Sequence, residues 1–292
     1  MINIEGRLIK QLACGRRKAE MTSQEYFAHR FLVHGELSDA PEELDLKPHL
    51  RARYLRSKYI QTPIFDAAFG APAKGPNTNH WWAGRDDVTE LTFRDMDHMK
   101  SVMTSDHARQ KIGPDGRFFA DFDAAITLMA VTEPLSISTK IQPPGPNDRL
   151  DDATVAFYFV NSAANELDDE GLHGRIGTLL VQAIEKHAED DVYKVEANIG
   201  FTLPEVSWSA HFGGASDLPK FALVYKLFLK DSTSAPVVRK MQKEFEKAAG
   251  SSINSGNSFI LFGEETLIQD YSRKPYVHFD PSRQRPFTKR GP

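Results

Sequence analysis

One cysteine among 292 residues, Cys14, leaves the chain without an intramolecular disulfide or a cysteine-rich zinc site. Positive charge is not in surplus either: 36 basic against 40 acidic residues give a net charge of -4. A phosphate backbone would release few counterions to such a surface, so nucleic acid is not an expected partner. No apolar run is long enough to span a bilayer or to act as a secretory signal; no membrane partner is expected and the expected address is cytoplasmic. Three signatures are also missing: His-Glu-x-x-His, the phosphate-cradling Gly-x-x-x-x-Gly-Lys, and Gly-x-Gly-x-x-Gly between a strand and a helix. The chain is therefore read as working without a metal or a redox cofactor.

What is present is enough chain for two units, each with its own core. The stretch over residues 20–37, EMTSQEYFAHRFLVHGEL, organises the first. Thr22 followed three residues later by Glu25 forms a capping box, which starts a helix. At about 100° per residue, Tyr26, Phe27, Arg30, Phe31, Val33, His34 and Leu37 share one face, with His29 and Leu32 toward its margins. The interval from His29 to His34 is five residues, about 140° apart on a regular helix, so the two imidazoles are not expected to face one point.

A strand before this helix (residues 7–14), strands at 57–65 and 82–93, a helix capped by Asp95, and a strand at 125–133 complete the order βαββαβ. Residues 142–152, QPPGPNDRLDD, read as a linker. After it the order recurs: strand 154–161, helix 170–188, strand 193–201, strand 221–230, helix 235–249 and strand 258–270. The fold class expected is α+β, two tandem ferredoxin-like units at 1–141 and 153–292. Each antiparallel sheet has one face under helices and one open apolar face, so the sheets are expected to pack through their open faces into a barrel.

The first strand with MTSQEYFAHRFLVHGEL, then Tyr59-Ile60-Gln61, DDVTELTFRDMDHMKSVMTSD and FFADFDAAITLMAVTEP, resembles the EthD-domain family of the dimeric α/β-barrel superfamily. The resemblance covers the first half; the remainder of the chain is similar to a diverged copy that lacks the helix-one histidines. It implies a dimeric α/β-barrel arrangement, closed within the chain or in a homodimer. It also implies a role in small-molecule catabolism or in the biosynthesis of polyketide and other aromatic secondary metabolites. Relatives across the superfamily include cofactor-free monooxygenases, cyclases, decarboxylases and dehydratases, and fold does not choose among them.

The residues narrow the choice. His34, carried inward among aromatics, is either a hydrogen-bonded core imidazole or a group that takes and gives a proton near neutral pH. His34, His80 and Tyr26 are the candidate catalytic residues: His34 as base or acid, Tyr26 and His80 holding a developing oxyanion. His29, Arg30, Phe27, Phe31, Trp81, Trp82 and Asp121 are the candidate substrate-binding residues. The two indoles either wall a flat ligand or merely cover a sheet end. Asp121 either lines a pocket or fixes a loop, and Arg30 either orients an anion or lays its stem along the surface. Cys14 reads as a small buried hydrophobe. The leading expectation is an enzyme of the lyase or isomerase/cyclase type. It would move protons on an aromatic or polyketide-like substrate, by dehydration, decarboxylation, cyclisation or isomerisation. Cofactor-free oxygenation of a phenolic substrate and a noncatalytic small-molecule carrier are the alternatives.

Overall fold

The computed structural model describes residues 4–39, 57–71, 79–143, 152–167, 169, 171–202 and 213–284. Most of the expected linker at 142–152 lies outside them.

The first half runs β1 (Ile9–Gly15), α1 (Ser23–Ala28), a π-helical stretch (His29–Val33), α2 (His34–Leu37), β2 (Lys58–Phe69), β3 (Asp87–Phe93) and α3 (Met96–Met103). A second π stretch (Ala108–Ile112), the short turn α4 (Gly113–Asp115) and β4 (Ile126–Leu135) follow. The second half runs β5 (Thr154–Val160), α5 (Leu172–His187), β6 (Val192–Gly200), β7 (Leu223–Leu229), α6 (Ala235–Ala249), β8 (Phe259–Glu264) and β9 (Thr266–Asp270).

The local signals work as physical chemistry predicts. The Thr22 amide donates to Glu25 Oε2 at 2.7 Å while the Thr22 hydroxyl accepts from the Glu25 amide at 3.2 Å. Thr22→Ala is expected to lower stability by about 1 kcal/mol, read as a shifted urea midpoint with an unchanged slope. Asp95 caps α3 by accepting from the His98 amide. Two strand boundaries differ from expectation. β3 begins at Asp87 rather than residue 82, because Gly84 adopts φ 86° and turns the chain. β2 runs on to Phe69 because β8 offers residues 64–69 a second edge to pair with.

All the strand pairings are antiparallel, and together they close a barrel. The first half has the strand order β4-β1-β3-β2 and the second β8-β5-β7-β6. The halves join edge to edge, β4 to β6 and β2 to β8, and β9 continues β8 along the same edge of β2. Eight positions thus circle the barrel within one chain. The open faces of the two sheets meet in the barrel interior, as expected, and the halves are joined in addition by hydrogen-bonded edges, which leave neither half with an open edge there.

This closure explains the near-continuous hydrophobic strands. In β5, Val155, Phe157 and Phe159 point into the barrel and join Leu12, Val88, Phe259 and Leu261. Ala156, Tyr158 and Val160 point outward into the core beneath α5 and α6, with Leu180, Ile184 and Phe245. Both faces are buried, so the run shows no alternation.

Candidate active site

The helix expected to run regularly from the Thr22 cap to residue 37 is not regular. At His29–Val33 it widens to a π turn, in which the His34 amide bonds the His29 carbonyl five residues back. A turn of that width brings two residues five apart onto one side, so the expectation that the imidazoles diverge by about 140° is corrected. Both grip one carboxylate: His29 Nε2 lies 3.0 Å from Asp115 Oδ1, and His34 Nδ1 lies 2.8 Å from Asp115 Oδ2. Asp115 lies three residues beyond the end of the second π stretch, in the turn α4. The widening also turns Val33 outward; it is 42% exposed, against the inward position expected for it. Burial disfavours the Asp115 charge, but the bonds from His34 and His29 outweigh it and hold the carboxyl below its usual range.

His34 lines a cavity of about 450 Å³ between the first-half sheet and the helices that cover its outer face. Tyr26, Arg30 and Asp121 line it too. Its floor is the helix-facing side of β1 and β3: Gln11, Ala13, Asp87, Thr89 and Leu91. Phe119 stands at the centre. Its ring is 5.1 Å from that of His34, 5.3 Å from His29 and 5.8 Å from Tyr26, and the Arg30 guanidinium sits 5.3 Å above it.

A polar network braces the floor. The Tyr26 hydroxyl donates to Asp87 Oδ1 at 2.6 Å, and Arg30 Nε donates to Asp87 Oδ2 at 3.2 Å. Arg30 also donates to the hydroxyls of Tyr59 and Thr89, and the Gln61 amide donates to the Tyr59 oxygen at 2.7 Å. Burial, then the Asp87 charge, pushes the Tyr26 phenol well above its ordinary value. Burial works against the Arg30 charge, yet Tyr59 and Asp87 more than compensate and the guanidinium stays protonated. Gly15 is required here, since a Cβ would come within 2.4 Å of Asp87 Oδ1.

The structure brings together His34, Tyr26, Arg30 and Asp121, with His29 one step behind through Asp115. Asp121 is tied to Arg16 at 2.7 Å, and that guanidinium also holds the Trp81 carbonyl at 2.8 Å. The rest lie elsewhere. Phe27 packs with Tyr26 and Phe119, and Phe31 belongs to the core with Phe279. His80 stacks on Trp82 at 4.7 Å and faces the Gly256 carbonyl at 2.8 Å, beside Phe69 at the far end of the barrel. Trp82 is buried in the barrel interior, and Trp81 is 48% exposed. Burial pushes the Cys14 thiol up to about 12 although Arg85 pulls it down, which makes it a poor nucleophile.

Asp87, Asp115 and Phe119 were not singled out from the sequence. Asp87 carried one signal: it has the parity of Thr89 and Leu91, so a carboxylate sits on a buried strand face. Asp115, inside Gly-Pro-Asp-Gly, resembles any turn residue.

Residues 18–123, which supply most of the lining of this cavity, match the EthD domain model. The match lies within the first half of the chain. No curated protein matches the sequence. Among solved structures, an anthrone oxidase-like protein superposes with a TM-score of 0.50 at 8% identity, covering 94% of this chain and 98% of that one. Chlorite dismutase from Candidatus Nitrospira defluvii superposes at 0.39 with 7% identity, over 90% and 93%. The first likeness speaks to the fold, and it extends beyond the EthD domain to both halves of the barrel. Among the described residues, no helix is long and apolar enough to cross a membrane, and no group of three or more His, Cys, Asp or Glu is placed to hold a metal ion.

Proposed function

We propose that the EthD-domain cavity belongs to an enzyme that moves protons on an aromatic or polyketide-like small molecule, without a metal or redox cofactor. The observation that carries this reading is the His34–Asp115 contact at 2.8 Å on the wall of a cavity that also holds Arg30. A carboxylate on Nδ1 fixes the tautomer in which Nδ1 bears the hydrogen and Nε2 is the base. His34 then takes a proton from carbon next to a carbonyl, and returns it to a leaving hydroxyl in a dehydration or to carbon in an isomerisation. Decarboxylation and ring closure need the same two functions, a proton carrier and a cation for the developing oxyanion. That cation is Arg30: three of its five N–H donors are committed to Asp87, Tyr59 and Thr89, which leaves two for a ligand oxygen. Tyr26 shapes the floor instead, because its single proton is given to Asp87. Phe119 supplies the flat apolar surface.

Residues 1–141 and 153–292 are, on this reading, tandem ferredoxin-like units, the second a diverged partner. The matching strand orders of the halves support it. Their fusion supplies the barrel that a homodimer would otherwise have to close.

Anthrone is a suitable probe: a tricyclic ketone whose ring CH2 protons are acidic through enolisation. In D2O, the protein is expected to speed deuterium incorporation at that carbon, followed by NMR, with no consumption of O2. Uptake of O2 with formation of the quinone would favour oxygenation, and saturable binding with neither would favour a carrier.

A further inference from the structure

Strands β1 and β3 serve two cavities, one on each face. Gln11, Thr89 and Leu91 face the EthD cavity, while Lys10, Glu90 and Thr92 face the barrel interior. The two ends of the barrel are finished differently. One end is packed solid with Leu12, Val88, Phe157, Phe159, Phe259 and Trp82. At the other end an open cavity of about 910 Å³ remains, lined by residues of both halves.

The floor of that cavity is ionic. Lys226 pairs with both Glu90 and Glu265, and all three side chains are 3% exposed. Lys10 bridges Glu90 at 3.1 Å and Glu196 at 3.2 Å, and Lys194 reaches Glu196 at 2.7 Å. Above the floor stand two rings, Tyr193 and Phe228, with centroids 6.0 Å apart. Arg7, Lys58 and Arg94 also line it; Arg7 is paired with Glu133 at 3.1 Å, so six cations stand against three lining carboxylates and Glu133.

A buried ion cluster adds little to stability compared with apolar packing of the same volume, and the opposite end of this barrel shows what apolar packing looks like. The open end holds space, aromatic surface and excess positive charge, the three things an aromatic anion needs.

We propose that the open end of the barrel is a second ligand site, which takes a small aromatic carboxylate, sulfonate or phosphate. Tyr193 and Phe228 receive the ring, and Lys58 and Arg94 receive the anionic group. The site is separate from the EthD cavity and does not depend on the chemistry proposed for His34.

Fluorescence titration of the whole protein with 8-anilinonaphthalene-1-sulfonate tests this. Saturable binding is expected, with Kd raised about tenfold or more in Lys58→Glu/Arg94→Glu, since each reversal turns an attraction at close range into a repulsion. Uncharged N-phenyl-1-naphthylamine should bind far more weakly than the sulfonate. His34→Ala, which alters only the EthD cavity, should leave Kd within about twofold. Equal binding of the uncharged analogue, or a double variant within twofold of wild type, would overturn the proposal. So would loss of binding in His34→Ala, which would place the probe in the EthD cavity and leave the reading of that cavity standing. Conversely, failure of the anthrone experiment would leave this titration unaffected.

Discussion

Replacing His34 with alanine is expected to lower kcat/KM by about 100-fold or more while the protein stays folded, because positioned acid–base groups contribute about 10²–10⁴. His34→Gln should not restore the rate: an amide fills the space but does not exchange a proton near neutral pH. Asp115→Asn tests the same machinery one step removed. It leaves the volume unchanged but takes the charge that fixes the Nδ1–H tautomer, and a loss of about tenfold or more in kcat with little change in KM is expected. His34 and His29 hold the Asp115 carboxyl below its usual range against its burial. Asp115 therefore remains ionised through the acid limb of the rate profile, and that limb reports protonation of the imidazole. A profile flat from about pH 5 to 8, where an ordinary histidine titrates, would count against the assignment. So would a His34→Ala protein with a lowered melting temperature and wild-type activity per folded molecule, the behaviour of a core imidazole.

Lys226→Met is expected to be among the most damaging single changes to stability, costing about 3–5 kcal/mol, the usual penalty for stranding a buried charge. That corresponds to a melting point lower by on the order of 10 °C for a chain of this size. Glu90 and Glu265 lose their shared cation while staying at 3% exposure. In the wild type, burial resists ionisation of both carboxyls; Lys226 and Lys10 overcome it at Glu90 and hold its pKa below the usual range, whereas at Glu265 burial outweighs Lys226 and the pKa is raised. The stabilisation from Glu90 is therefore present above its ordinary pKa and lost as the pH falls through the lowered one, whereas the contribution of Glu265 has the opposite sign, present at low pH and lost as the pH rises. Without Lys226 the stranded carboxylates prefer to be protonated, so the deficit against wild type should be largest near pH 7 and shrink toward pH 5. Adding Glu265→Gln, which removes one stranded charge, should recover part of the loss. A melting temperature within about 2 °C of wild type at pH 7 would show that water reaches the cluster freely.

The parts of this structure legible in the sequence are those governed by neighbours along the chain. Thr22 and Glu25 announce a helix start because both partners of the cap lie within one turn. Five buried positions of α5, Leu172, Ile176, Leu180, Ala183 and Ile184, follow from periodicity in the same way, and the strand over residues 154–160 follows from an unbroken apolar run. His34 lines a cavity of the first half, in keeping with the inward helix face that periodicity assigns to it. The π turn at His29–Val33 was invisible, since a wheel drawn at a fixed angle per residue has no room for a wider turn. Asp115 was invisible because its meaning is set by two imidazoles some eighty residues earlier. His80, Trp81 and Trp82 illustrate a further limit: a cluster of rings in sequence shows that something will be buried, but not on which side of a sheet. Lys226, flanked by Val224 and Phe228 at the same parity, shows a charge inside a barrel, a pattern that reads from sequence as one polar interruption in a strand.

The closure of the barrel through β2 and β8 bears on how the protein is made. Ile64 pairs with Gly263 and Phe69 with Phe259, so one seam joins an early strand to nearly the last one. Pairings so distant in sequence are slow to form, because a long loop must be closed before any contact rewards it. As the chain leaves the ribosome, β1 to β4 can pair at once, but β2 and β4 remain the outer strands of a half-finished sheet until the second half arrives. From the completion of β4 at Leu135 until β8 is made at Glu264, the nascent chain therefore holds at least one unsatisfied row of backbone donors and acceptors. A copy truncated after residue 141 should aggregate or pair with its own kind, and folding yield should fall as the copies in a cell crowd together during translation.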